Sequence, residues 1–258
     1  MKIALAQVLS GADPQHNLEI MRDYARQAKA AGAQLVVFPE AMQVAFGNPV
    51  QRFAEPVDGP WASAVRQLAR DAGITIAAGM FTPGEGTVRN TLLVAGGAEA
   101  AYDKIHLFDA FGYAESDSVT PGTRTVQFEL DGVTFGLAIC YDLRFPQLFI
   151  ANANAGAQVN LVAASWGAGD GKVQQWSTLA AARALDSTTY VLAVGQADPG
   201  FESSDPLGVG HSIAVDPLGR VLAQAGAEPE LLVVEVDPAQ VEAARAKLPV
   251  LRNAVQLG

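Results

Sequence analysis

The chain has one cysteine, Cys140, so no internal disulfide can form. That excludes a disulfide-stapled secreted scaffold and suits a reducing compartment. Histidine is nearly as scarce. His16, His106 and His211 are scattered, and none shares metal-ligand spacing with another ligand type. Basic residues are also few. Lys and Arg total 17 against 27 Asp and Glu, the net charge is −10, and Lys and Arg form no cluster. A nucleic acid or an anionic membrane is therefore not expected as a partner. No apolar run approaches the roughly 18 residues of a transmembrane helix. The opening MKIALAQVLSGADP carries one lysine and an apolar run broken by Gln7, so a first strand is expected there and not a signal peptide. The expected location is cytoplasmic.

What the chain does have is core material. Of 258 residues, 50% are hydrophobic, and 25 Gly and 14 Pro punctuate the length. That is a globular composition. Lys2–Val8 predicts a strand, and apolar residues at helical spacing over 17–31 predict a helix stopped by Gly32. Further strands are expected at 35–38, 74–81, 91–95 and 100–107, with a helix at 61–72. Asp131-Gly132 between two apolar strands is a two-residue hairpin signal. Helices at 145–155, 173–186 and 238–247 alternate with strands at 159–164, 190–194, 212–215, 220–225 and 231–236. Interleaved helices with several hairpins do not fit a purely parallel sheet. Two mixed sheets with helices outside fit better, in one domain over 1–258.

Cys140 ends the apolar strand 133–139, just before the helical segment. A sulfur there would meet a helix N-terminus, whose dipole favours the reactive thiolate. A buried structural cysteine is the competing reading. A thiol nucleophile needs a base. His106 shares a predicted strand face with Lys104, two residues away, but nothing local pairs it with Cys140. Glu40 ends a short apolar strand, where sites gather in layered α/β proteins. A capping or surface acid is its alternative, and a solvated strand lysine is that of Lys104.

Three separated segments resemble the nitrilase superfamily of carbon–nitrogen hydrolases: Val36-Val37-Phe38-Pro39-Glu40, Tyr102-Asp103-Lys104-Ile105-His106-Leu107-Phe108, and Ile139-Cys140-Tyr141-Asp142-Leu143-Arg144-Phe145-Pro146. Each supplies one member of that family's Glu-Lys-Cys triad, in the family's order. The resemblance implies an αββα four-layer sandwich that pairs into a homodimer. It implies Glu40 as general base, Cys140 as the nucleophile that forms a thioester, and Lys104 with the Tyr141 backbone N–H as the oxyanion partners. Many members carry a second glutamate between the Lys and Cys motifs. Glu115, shortly before Pro121-Gly122, fits that place and would hold Lys104 or position the substrate; an ordinary loop acid is the alternative. Such chemistry uses water and a small-molecule amide, with no cofactor and no metal.

Cys-Tyr-Asp-Leu-Arg-Phe-Pro looks most like the branch of omega-amidases and deaminated-glutathione amidases. A small carboxylate-bearing amide is the implied substrate. A nitrilase, an N-carbamoyl-amide hydrolase and a non-catalytic binding protein are the alternatives. Arg144 is a candidate partner for a substrate carboxylate, with an ion pair to Asp142 as its structural alternative. After strand 159–164 the chain departs from the branch. Ala164-Ser165-Trp166-Gly167 replaces a Pro-Gly-Ala-Phe type segment, and Gln175 stands where a histidine often precedes Trp176. Ser165 and Trp166 are therefore candidate substrate contacts, with a core role as the alternative for Trp166.

Overall fold

A computed structural model describes residues 1–203 and 205–255. In chain order, the first half runs β1 (Lys2–Gln7), α1 (Pro14–Ala30), β2 (Leu35–Val37), α2 (Pro60–Ala72), β3 (Thr75–Pro83), β4 (Val88–Ala95) and β5 (Ala100–Asp103). A small hairpin follows, β6 (Asp109–Ala110) with β7 (Tyr113–Ala114). The second half runs β8 (Gln127–Leu130), β9 (Val133–Ile139), α3 (Pro146–Asn154), β10 (Val159–Ala164), α4 (Lys172–Ser187), β11 (Tyr190–Gly195), β12 (Ile213–Val215), β13 (Val221–Gln224), β14 (Glu230–Glu235) and α5 (Pro238–Lys247).

Two six-stranded mixed sheets result, in the orders β14-β1-β2-β3-β4-β5 and β13-β12-β11-β10-β9-β8. Each has three parallel strands joined by two helices: β1, β2 and β3 in one, β9, β10 and β11 in the other. Antiparallel strands extend both edges. The central strands are largely apolar because both faces are covered. In β1 and β2, Ile3, Leu5, Leu35 and Val37 face the other sheet and share a core with Phe135, Leu137 and Leu161. Their alternating neighbours Ala4, Ala6 and Val36 pack on α1 and α2 through Met21, Ala25, Trp61 and Val65. With α3 and α4 on the far side of the second sheet, this is the four-layer αββα arrangement. Among the described residues, no helix is long and apolar enough to cross a membrane.

Local chemistry sets the boundaries. Asp13 caps α1 by accepting from the Gln15 N–H, and Pro14 starts it. Asp131 and Gly132 both take positive φ (49° and 77°), as a two-residue hairpin between twisted strands requires. One expected strand is shorter than predicted. The segment 100–107 leaves the sheet after Asp103, so Lys104 sits just past the strand end and shares no strand face with His106. The apolar letters Ile105 and Leu107 extended the pattern, but polar partners deeper in the fold claim Lys104 and His106.

Candidate active site

The three segments singled out in the sequence converge at the carboxyl ends of two parallel strands and of the antiparallel edge strand β5. Glu40 follows β2, Lys104 follows β5, and Cys140 follows β9. Their side chains line one cavity of about 510 Å³, together with Glu115, Tyr141, Arg144 and Trp166.

Glu40 is 1% exposed and every oxygen is used. Oε1 accepts from Lys104 Nζ (3.1 Å) and Asn90 Nδ2 (2.7 Å), and Oε2 accepts from the Ser165 backbone N–H (2.7 Å). Its own carbonyl accepts from Gln196 Nε2 (2.9 Å). The next residue, Ala41, takes a positive φ of 57°. Strand β3 runs so close that a Cβ on Gly79 would lie 2.6 Å from the Ala41 nitrogen and 2.8 Å from Glu40 Cα. Only glycine allows that approach.

Lys104 is also buried, at 3% exposure. Besides Glu40 it reaches both Glu115 oxygens, at 3.0 and 2.9 Å. Glu115 is held in turn by the Phe108 N–H, at 2.7 Å. The Lys104 backbone is fixed at both ends, donating to Asn90 O and accepting from Gly122 N. A Cβ on Gly122 would collide with Asp103 O at 2.2 Å, which explains glycine after Pro121.

Cys140 opens a five-residue 3-10 turn, Cys140–Arg144, at a φ of 47°. A non-glycine residue there is strained, and strain of this kind clusters at functional sites. Asp142 holds the turn. Wholly buried, it accepts from Ile139 N (2.9 Å), Tyr102 Oη (2.7 Å) and His106 N (3.0 Å), and contacts His106 Nδ1 at 2.7 Å. His106 also stacks on Phe145, with ring centroids 3.8 Å apart. It therefore ties the lysine segment to the cysteine turn. The Cys140 sulfur donates to Ser165 O at 3.8 Å.

The electrostatics correct one expectation. A helix dipole favouring the thiolate was the expectation, and the surroundings of Cys140 act the other way. Burial pushes the Cys140 thiol well up, and the Glu40 carboxylate adds to it. Only a short 3-10 turn lies beneath the sulfur, too little dipole to reverse this. Burial also raises Glu40, against the pull of Lys104. For Lys104, burial favours the neutral amine, but Glu40 and Glu115 outweigh it and the ammonium is held above its ordinary value. The surroundings thus favour the neutral thiol at Cys140 and the ammonium at Lys104.

The remaining candidates divide. Tyr141 lies second in the 3-10 turn, where a backbone N–H has no partner within the turn, and it lines the cavity. Arg144 lines it too. It makes no ion pair with Asp142; its Nη2 donates to Gln175 Oε1 (2.7 Å) and its guanidinium lies 5.0 Å from the Trp166 ring. Ser165 does not line the cavity. Its amide holds Glu40 and its hydroxyl bonds Pro206 O, so its position is tied to the general-base candidate. Asn90 escaped sequence reasoning, because a strand asparagine carries no motif. Lys172 escaped it for the same reason.

The carbon–nitrogen hydrolase family model matches residues 2–246. A Mycobacterium tuberculosis protein described as a hydrolase is 53% identical, covering 98% of this chain and 95% of its own. The Escherichia coli O157:H7 deaminated glutathione amidase is 35% identical, over 98% and 97%. A solved structure of a variant Nesterenkonia amidase, with the acetamide moiety of fluoroacetamide on its active-site cysteine, superposes with a TM-score of 0.81 at 31% identity, over 99% and 97%. The chain belongs to the carbon–nitrogen hydrolase family, the nitrilase superfamily, as its three motifs indicated.

Proposed function

We propose that this protein hydrolyses a small carboxylate-bearing amide to the acid and ammonia, with Cys140 as nucleophile. The observation that carries this is the Lys104 ammonium clamped between Glu40 and Glu115 beside a thiol on one shared cavity. Because the thiol is raised, it is unreactive until a base removes its proton. Glu40, held by three donors, takes that proton as sulfur attacks the amide carbon. The carbonyl oxygen becomes an oxyanion, and Lys104 Nζ with the Tyr141 N–H stabilises it. The tetrahedral adduct collapses, and the proton on Glu40 goes to the departing amine as ammonia leaves. A thioester remains on Cys140. Glu40 then draws a proton from water, hydroxide adds to the thioester, and the acid leaves with the thiol restored. Glu115 keeps Lys104 charged and in place.

The same reading takes 1–258 as one catalytic domain, supported by a family match that runs across 2–246. Amides are preferred over nitriles because relatives and solved neighbours of this chain are amidases. The test is ammonia release from a panel of monoamides, nitriles and N-carbamoyl acids, with mass analysis of Cys140 in a Glu40→Gln variant. The expected result is turnover of monoamides and an acyl mass on Cys140. Turnover of nitriles alone would overturn the amidase reading.

A further inference from the structure

The cavity has a second charged group, separate from the Glu40–Lys104–Glu115 cluster. Arg144 and Lys172 both line it. Neither forms an ion pair with any described residue. Both are half-buried, and aromatic faces support them. Arg144 lies over Trp166 and 5.9 Å from the Tyr141 ring. Lys172 Nζ lies 4.6 Å from the Phe111 ring centroid and 5.7 Å from that of Phe108. Trp166 connects the two. Its indole carries Arg144 on its face and donates through Nε1 to the Lys172 carbonyl at 3.1 Å. The two cations also feel each other. Burial lowers Lys172, and Arg144 lowers it further.

Two like charges brought together in a cleft cost free energy until an anion arrives. The local carboxylates do not serve. Asp170 and Asp205 line the same cavity, but both side chains are exposed, and Asp205 lies against Gly47. Neither reaches Arg144 or Lys172. Lys172 also begins α4, whose amino end has no side-chain cap, so the helix dipole adds positive potential there.

We propose that Arg144 and Lys172, joined by Trp166, form the seat for the substrate's carboxylate, and that Lys172 makes the enzyme prefer anionic amides over neutral ones. The proposal rests on the amidase reading for its substrate, but the seat itself is a binding site. Arg144 offers a planar fork for two carboxylate oxygens, and Lys172 supplies a point charge. The seat lies in the cavity that holds Cys140, so one amide that carries a carboxylate can meet both seat and thiol.

Two measurements test it. First, kcat/KM is compared for monoamides of four- and five-carbon dicarboxylic acids and for neutral alkyl amides of matched length. In Lys172→Met the anionic-to-neutral ratio is expected to fall about 10- to 100-fold, chiefly through KM, and Lys172→Arg to restore most of it. An unchanged ratio in Lys172→Met, or a wild type that prefers neutral amides, overturns the seat. Second, calorimetry with glutarate reads the seat without turnover. A protein that hydrolyses nothing but binds glutarate through Lys172 defeats the amidase reading and keeps the seat. A protein that hydrolyses amides and binds glutarate equally well with Met at 172 does the reverse.

Discussion

The cavity holds two groups of charges built on opposite rules. Glu40, Lys104 and Glu115 are each at most 3% exposed, and each is held by several fixed partners. Arg144 and Lys172 are half-buried, lie on aromatic rings and lack a carboxylate partner among the described residues. Desolvation explains the contrast. A fully buried charge is tolerated only when paired and hydrogen-bonded, so the inner cluster must be complete before substrate arrives. A charge near the mouth keeps part of its hydration and can wait for a ligand. The inner cluster is therefore suited to chemistry that repeats unchanged, and the outer pair to choosing what enters.

Substitutions in the inner cluster should be the more damaging, and Cys140→Ala the most damaging of all. Hydrolysis should drop by about 10⁴-fold or more, measured as ammonia release. A variant retaining full activity would remove the thiol from the mechanism. Glu40→Gln comes next, with about 10²- to 10⁴-fold loss. Its pH profile sharpens the claim. As the proposed base, Glu40 must be unprotonated, and burial raises its pKa above the ordinary glutamate value of 4.5. Wild-type activity should fall as pH drops through a midpoint above that value, and that acid limb should vanish in Glu40→Gln. His106→Ala, which loosens only the Asp142 anchor, should cost far less; equal damage would point to a cysteine–histidine pair instead.

Glu115→Gln leaves Lys104 with one carboxylate. Breaking a buried pair costs about 3–5 kcal/mol, so thermal unfolding should shift down together with kcat, which should fall about 10- to 100-fold. Lost activity with unchanged stability would contradict the clamp. The smallest effect is expected at Asn90. Its Nδ2 donates to Glu40 while its Oδ1 is buried without a partner, an arrangement that aims the amide at the carboxylate. Asn90→Ala should lower kcat about tenfold and move the acid limb to higher pH, because one donor to the charged form is gone. An unmoved limb would make Asn90 merely structural.

Legibility in the sequence followed the length scale of each feature. The helix α5 matched its expected bounds, because Pro238 starts it and local periodicity marks it. Glu40, Lys104 and Cys140 stood out because each lies in a short motif. The end of β5 was misjudged because apolar letters continue past Asp103, while the partners that pull Lys104 and His106 out of the sheet lie 11 and 36 residues away. Ser165 was placed near a substrate by its position after β10, yet its amide serves Glu40, 125 residues distant. Lys172 showed no pattern at all; only its approach to Trp166 and Arg144 gives it meaning.

By itself, then, the sequence determined the layered α/β class, the family, and the residue types of the inner cluster, because periodicity and short motifs are local properties of a chain. Tertiary structure alone decided the state of those groups. A cysteine after a strand suggested a thiolate, and the fold buries it beside the Glu40 carboxyl, which favours the thiol. Burial and charge distance set that outcome, and both depend on which distant segments meet, which no local pattern encodes.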